Sequence, residues 1–102
     1  MDVQDFINGE TFLPIGTVIM LKNSERKVMI VGVLQFNGND QSKMYDYSGV
    51  LYPEGLLDPR ENFLFDKVQV EKIFHLGYIN EEQDALQATI KQVIEKYSAS
   101  NK

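Results

Sequence analysis

The sequence predicts an α+β domain: a small, strongly bent antiparallel sheet or SH3-like barrel of about five strands, closed by a C-terminal amphipathic helix. Three observations predict it. Two apolar runs rich in strand-favouring residues, VIML at 18–21 and VMIVGVLQF at 28–36, flank the polar turn KNSERK. Gly, Pro, Asn and Asp then punctuate the chain at short intervals. From Glu81 to Tyr97 the pattern changes, and Leu86, Ile90, Val93, Ile94 and Tyr97 recur at helical spacing.

Residues 1–12 form an N-terminal lead-in, in which Phe6, Ile7 and Phe12 can pack on the body and Asn8-Gly9 reads as a turn. The mostly-β domain spans 13–79. Pro14 and Gly16 open its first strand. Both early runs are nearly continuous apolar, the pattern of strands covered on two faces, and Gly32 inside the second marks a bulge or sharp bend. NGNDQSK, Asn37 to Lys43, is the plainest loop. MYDYSGVLYP reads as a third strand bent at Gly49 and stopped at Pro53. EGLLDPRENF is an irregular connection, and Phe63–Leu64–Phe65 a short apolar segment. Asp66 is the candidate N-cap of one helical turn at KVQV. Val70 to Tyr78 is the last strand, with Val70, Phe74, Leu76 and Tyr78 sharing one parity and His75 on the other side. The helix spans 80–98. Asn80 is its N-cap, Gln83 completes a capping-box pattern, and Glu81, Glu82 and Asp84 suit the positive end of the dipole. Residues 99–102 are a frayed tail. An amphipathic stripe of this kind normally faces its own core, with a partner helix as the alternative.

Composition narrows the function. The chain has 102 residues, enough for one domain, and 43% of them are hydrophobic. No run approaches the roughly 20 apolar residues of a membrane span. The acidic start MDVQDFINGE lacks the basic, then apolar, pattern of a secretory signal, so a cytoplasmic location without membrane insertion is expected. Cysteine is absent, which removes disulfides and thiolate chemistry. Ten basic and fifteen acidic residues leave a net charge of −5. The acids gather at Met1–Phe12 and Tyr45–Asp66, around a mildly basic middle with Lys22, Arg26, Lys27 and Lys43. That distribution argues against nucleic acid and favours a basic protein partner or a solvated acidic face.

No catalytic constellation stands out. Ser48, the sole histidine His75 and Asp46 assemble a triad only on paper, since no nucleophile elbow surrounds Ser48. Asp46, Glu54, Asp58 and Glu61 do not follow a calcium-loop spacing, and GVLYPEG lacks the Lys-Ser/Thr pair of a phosphate cradle. No metal or cofactor is implied. The stretch YDYSGVLYPEG concentrates three of the five tyrosines. Tyrosine suits binding surfaces and strands alike. In a regular strand Tyr45 and Tyr47 share a face opposite Tyr52; a bulge at Gly49 would bring all three together.

LPIGTVIMLK, KVMIVGVLQ, YDYSGVLYPEG, ENFLFD and VEKIFHLGY, spread from Leu13 to Tyr78, together resemble a family of small proteins of Gram-positive bacteria, domain of unknown function family 4176. Val33 departs from the pattern, where arginine is expected. The resemblance implies a setting in type VII secretion gene clusters, beside toxins with helical LXG targeting domains. It implies a non-enzymatic cytoplasmic accessory protein, a chaperone or adaptor that binds such a toxin or its targeting complex. The alternatives are an immunity protein for the toxin and a small-ligand-binding domain. The partner-binding candidates are Tyr45, Asp46, Tyr47, Tyr52 and Glu54, with Leu86, Ile90 and Val93 of the helix as a second surface.

Overall fold

The computed structural model describes residues 11–100 apart from Asn39, Pro59 and Glu61. The lead-in's Phe6, Ile7 and Asn8-Gly9 turn lie outside the described residues, as does the end of the tail. The elements are β1 (Val18–Leu21), β2 (Lys27–Asn37), β3 (Asp40–Tyr52), β4 (Phe63–Phe65), a single 3-10 turn (Lys67–Gln69), β5 (Val70–His75) and α1 (Glu81–Ser100). All ladders are antiparallel, in the order β4-β3-β2-β1-β5. Of the two expected architectures the ladders describe the open sheet, with β4 and β5 as its edges. The helix runs through Ser100, so residues 99 and 100 belong to it and not to a frayed tail.

The β2–β3 hairpin is the longest element pair. Its ladder extends to Asn37↔Asp40, so most of the expected loop 37–43 is strand. The tip tightens because Gly38 takes φ +59° and Asp40 Oδ1 accepts the Ser42 N–H at 2.9 Å. The expected bulge near Gly32 is present. The ladder slips between Ile30↔Gly49 and Gly32↔Ser48, leaving Val31 as the extra residue of β2. β3 keeps its parity from Tyr45 to Tyr52; a second irregularity, between Gln35↔Tyr45 and Asn37↔Asp40, sets residues 41–44 of β3 against Phe36.

Parity divides the sheet into two faces. One carries Ile19, Val28, Ile30, Tyr47, Phe65 and Val70, which with Phe12, Leu13 and Ile90 form the buried core. Leu86 and Ile94 of α1 pack against it, so the helix stripe docks within its own chain. Gln87 fixes that docking. Its side-chain amide accepts the Phe12 N–H at 2.9 Å and donates to the Phe12 carbonyl at 2.6 Å. At the N-terminus of α1 the Asn80 Oδ1 accepts the Gln83 N–H at 3.1 Å, the expected cap. At the far end Tyr97 lies beside Phe36 and donates to the Ser42 carbonyl at 3.3 Å, propping the hairpin tip.

The segment LPIGT turns the chain into β1. Thr17 is fully buried, and its hydroxyl donates to the Pro14 carbonyl at 2.7 Å and accepts the Gly77 N–H at 3.0 Å. Gly77 is required there, because a Cβ would stand 2.1 Å from the Ile15 carbonyl oxygen.

Tyr47 and Gly49 set the tightest demands on the core. Tyr47 is wholly buried between Phe12 and Phe65, and its hydroxyl accepts the Leu13 N–H at 2.8 Å. Tyr47→Phe removes that acceptor and leaves a buried donor unpaired, so urea denaturation should show a loss of about 1–3 kcal/mol. A Cβ at Gly49 would stand 2.5 Å from Val28 Cγ1 and 2.9 Å from the Met29 carbonyl oxygen. Gly49→Ala should therefore cost about 1–3 kcal/mol by overpacking. Tyr52→Phe, at an exposed ring, should stay within about 0.5 kcal/mol of wild type in the same assay.

Candidate functional site

The stretch YDYSGVLYPEG runs along β3 and out into the turn that follows, and the pleat sends its residues to opposite faces. Tyr45, Tyr47, Gly49 and Leu51 point to the helix face; Asp46, Ser48, Val50 and Tyr52 point away. The slip near Gly49 falls on β2, so the three tyrosines do not share a face as a bulge in β3 would have made them. Tyr47 is core. Tyr45 is half-buried, with the Lys43 ammonium 4.6 Å from its ring centroid. Tyr52 is 45% exposed and ends the strand at a cis Tyr52–Pro53 bond.

Asp46 joins β3 to the 3-10 turn. Its Oδ2 accepts the Lys67 N–H at 2.9 Å, and its own N–H donates to Asp66 Oδ1 at 3.1 Å. Asp66 stands at the expected N-cap position, where its N–H donates to Gln69 Oε1 at 2.8 Å. Lys43 closes the group with a 3.0 Å ion pair to Asp66. Burial pushes the Asp46 carboxyl above its ordinary value, and the Lys67 N–H offsets part of that rise.

The other acids of the Tyr45–Asp66 block are also engaged within the chain. Glu54 pairs with Arg26, and Asp58 with Arg60 at 2.9 Å. Both carboxyls are held below their ordinary values, chiefly by the hydrogen bonds from those arginines. Glu61 lies outside the described residues. The block is therefore mostly neutralised where it stands, which weakens the case for a basic partner made from its charge.

The paper triad does not assemble. Ser48 is buried on β3 against Gly32, while His75 sits on β5, three strand steps away, or about 14 Å at ordinary strand spacing. Asp46 turns to the 3-10 turn. Among the described residues no group of three or more His, Asp or Glu converges as a metal site requires. Of the helix candidates, Ile90 is 3% exposed and Leu86 half-buried, both packed on the core; Val93, at 39%, faces outward.

The face away from the helix brings together residues that strand reading did not single out. Two cross-strand rows span it: Lys72–Met20–Lys27–Tyr52 and His75–Val18–Met29–Val50. Phe74 lies between them as the extra residue where β5 slips against β1. That slip breaks the expected parity. Leu76 packs toward the core, whereas Phe74 is 39% exposed on the other side. The Lys27 and Lys72 ammonium groups each stand 4.9 Å from the Phe74 ring centroid. Gly16, Val18, Lys27, Met29, Tyr52, Phe74 and His75 line a shallow, open depression of about 520 Å³ here. The signal in the sequence was the run of Met, Val and Lys in β1 and β2; its face depended on register.

With the fold and these surfaces in place, the chain is a small single-sheet α+β protein whose most distinctive motif builds a corner of its own fold. The family model described as domain of unknown function (DUF4176) matches residues 12–86, and the chain belongs to that family. The match begins at Phe12, which pairs with α1, and ends in the second turn of that helix. No curated protein and no solved structure matches the chain. No described helix is long and apolar enough to cross a membrane.

The Asp46 linkage yields a prediction with a definite sign. Asp46→Ala leaves the Lys67 N–H without its acceptor and should cost about 1–3 kcal/mol in chemical denaturation. Asp46→Asn retains an acceptor oxygen and removes the cost of ionising a half-buried carboxyl. It should match or exceed wild-type stability at pH 7. Because the folded-state pKa of Asp46 lies above that of the unfolded chain, the wild-type penalty is full above the folded value and vanishes below the unfolded one. The gap between Asp46→Asn and wild type should therefore close as pH falls through the carboxylate range.

Proposed function

We propose that the protein is a non-enzymatic, cytoplasmic accessory factor of type VII secretion, a chaperone or adaptor that binds an LXG-type toxin or its targeting complex before export. The observation that carries the reading is family membership across residues 12–86, through motifs that the fold uses to build a sheet with one face free of the helix. On that face the exposed rings of Tyr52 and Phe74 beside half-buried Met20 and Met29 suit contact with another polypeptide. Asp46 and Tyr52 share the parity of this face, and of the tyrosine–acid cluster Tyr52 lines its depression. Asp46 is bonded to the 3-10 turn and Tyr47 belongs to the core on the helix side.

Co-expression of the tagged protein with the toxin encoded beside it provides the test. A complex that persists through affinity and size-exclusion steps is expected, with Tyr52→Ala weakening it at unchanged thermal stability. Absence of a complex at micromolar concentration would overturn the reading. Deletion in the producing cell should then block export of the toxin; death of the producer, with export intact, would assign immunity instead.

A further inference from the structure

The charge of the face that α1 leaves uncovered runs against the charge of the whole chain. The protein carries a net −5, yet the two rows crossing this face contain Lys72, Lys27 and His75 and no acid. Among the described residues neither Lys27 nor Lys72 has an ion-pair partner; the pairs present are Arg26–Glu54, Lys43–Asp66 and Arg60–Asp58. Glu71, the extra residue where β5 slips next to Lys72, is an exposed acid at the edge of this face and makes no ion pair with either lysine. Glu54, just beyond Tyr52, is taken by Arg26.

Both unpaired ammonium groups converge on one ring. Each lies 4.9 Å from the Phe74 centroid, so they stand no further apart than twice that distance. Two exposed ammonium groups gathered at one ring make a local positive spot on an acidic protein. Carboxylates placed on either side of Phe74 would each meet one of them. Around this point the lining is apolar: Val18, Met29, Tyr52 and the ring itself. A ligand that satisfies both features carries a carboxylate next to an apolar side chain. A nucleic-acid strand would need a longer track of cations, whereas Arg26, next to Lys27, is already paired with Glu54.

We propose that the sheet face opposite α1 is a docking site for an acidic polypeptide segment, with an apolar side chain seated among Met29, Tyr52 and Phe74 and flanking carboxylates on Lys27 and Lys72. This names the surface and the partner chemistry for the interaction proposed above, and rests on that reading for its biological setting only. The partner's contact segment is thus acidic, the reverse of what the chain's overall charge suggests.

The test is amide chemical-shift mapping of the whole protein with a short synthetic peptide in which Glu alternates with Leu and Phe, beside a counterpart with Lys in place of Glu. The acidic peptide should move the amides of β1, of β2 near Lys27 and Met29, and of β5 near Lys72 and Phe74; the lysine peptide should move none. Lys27→Glu with Lys72→Glu should weaken acidic-peptide binding roughly tenfold or more, while Lys96→Glu on the helix leaves it unchanged. Both lysines are exposed, so the melting temperature of the double variant should stay near wild type and separates lost binding from lost folding. Shifts confined to α1, unchanged affinity in the double variant, or tighter binding of a single-stranded oligonucleotide than of the acidic peptide would each overturn the proposal. Toxin capture distinguishes the two readings. If the double variant captures the toxin as wild type does, this surface is wrong and the accessory role stands. If wild type binds the peptide on this face but captures no toxin, the surface stands and the accessory role fails.

Discussion

The hydroxyl of Tyr47 is the point on which the rest of the structure depends. It lies on β3, wholly buried, where an unpaired hydroxyl would be costly, and it accepts the N–H of Leu13. That bond draws the segment before β1 across the core. The same segment presents the Phe12 backbone to Gln87, whose amide both accepts from it and donates to it. The helix is thereby fixed to the sheet through a stretch of chain that belongs to neither. Phe12 and Phe65 pack on the Tyr47 ring, so the polar anchor and the apolar core are one cluster. Burial pushes the phenol well above its ordinary value, so the hydroxyl stays protonated at physiological pH.

A second constraint follows from the pleat. Once Tyr47 points to the helix, Tyr52 must point away, since β3 carries no bulge between them. The motif that looks like one tyrosine surface divides between the two faces of the sheet. Its inner residues hold the core, and its last tyrosine joins Met29, Phe74 and the two lysines on the other side. Its acids are likewise divided by contact: Asp46 bridges to the 3-10 turn, and Glu54 pairs with Arg26. Charge that looks available in the sequence is largely spent within the fold, while among the described residues Lys27 and Lys72 make no ion pair.

The fold class was legible because each element carried its own local signal. Asn80 before a helical stripe, Asp66 before KVQV and Gly32 inside an apolar run each sit where expected. The hairpin tip was less legible. Its Asn, Gly and Asp read as loop, but pairing between long arms carries strand structure up to Asp40. The candidate surface was legible least. Strand slips decide it, and they are settled by tertiary fit: Val31 on β2, and Glu71 and Phe74 on β5, stand as extra residues that no local pattern marks. One such slip sends Phe74 and Leu76 to opposite sides, and with them the ring that gathers Lys27 and Lys72. The reading of Ile90 as a partner contact failed to separate from docking for the same reason, since a helix stripe looks alike whichever surface covers it.

Native-state hydrogen exchange at the Leu13 amide tests the central claim most directly. Leu13 belongs to no strand or helix, and an ordinary connecting segment exchanges through small local openings. If its N–H is held by Tyr47 inside the core, it should exchange only with global unfolding, as slowly as the amides at the centres of β2 and β3. Exchange of Leu13 at the rate of an open loop, while those strand amides stay protected, would contradict the account.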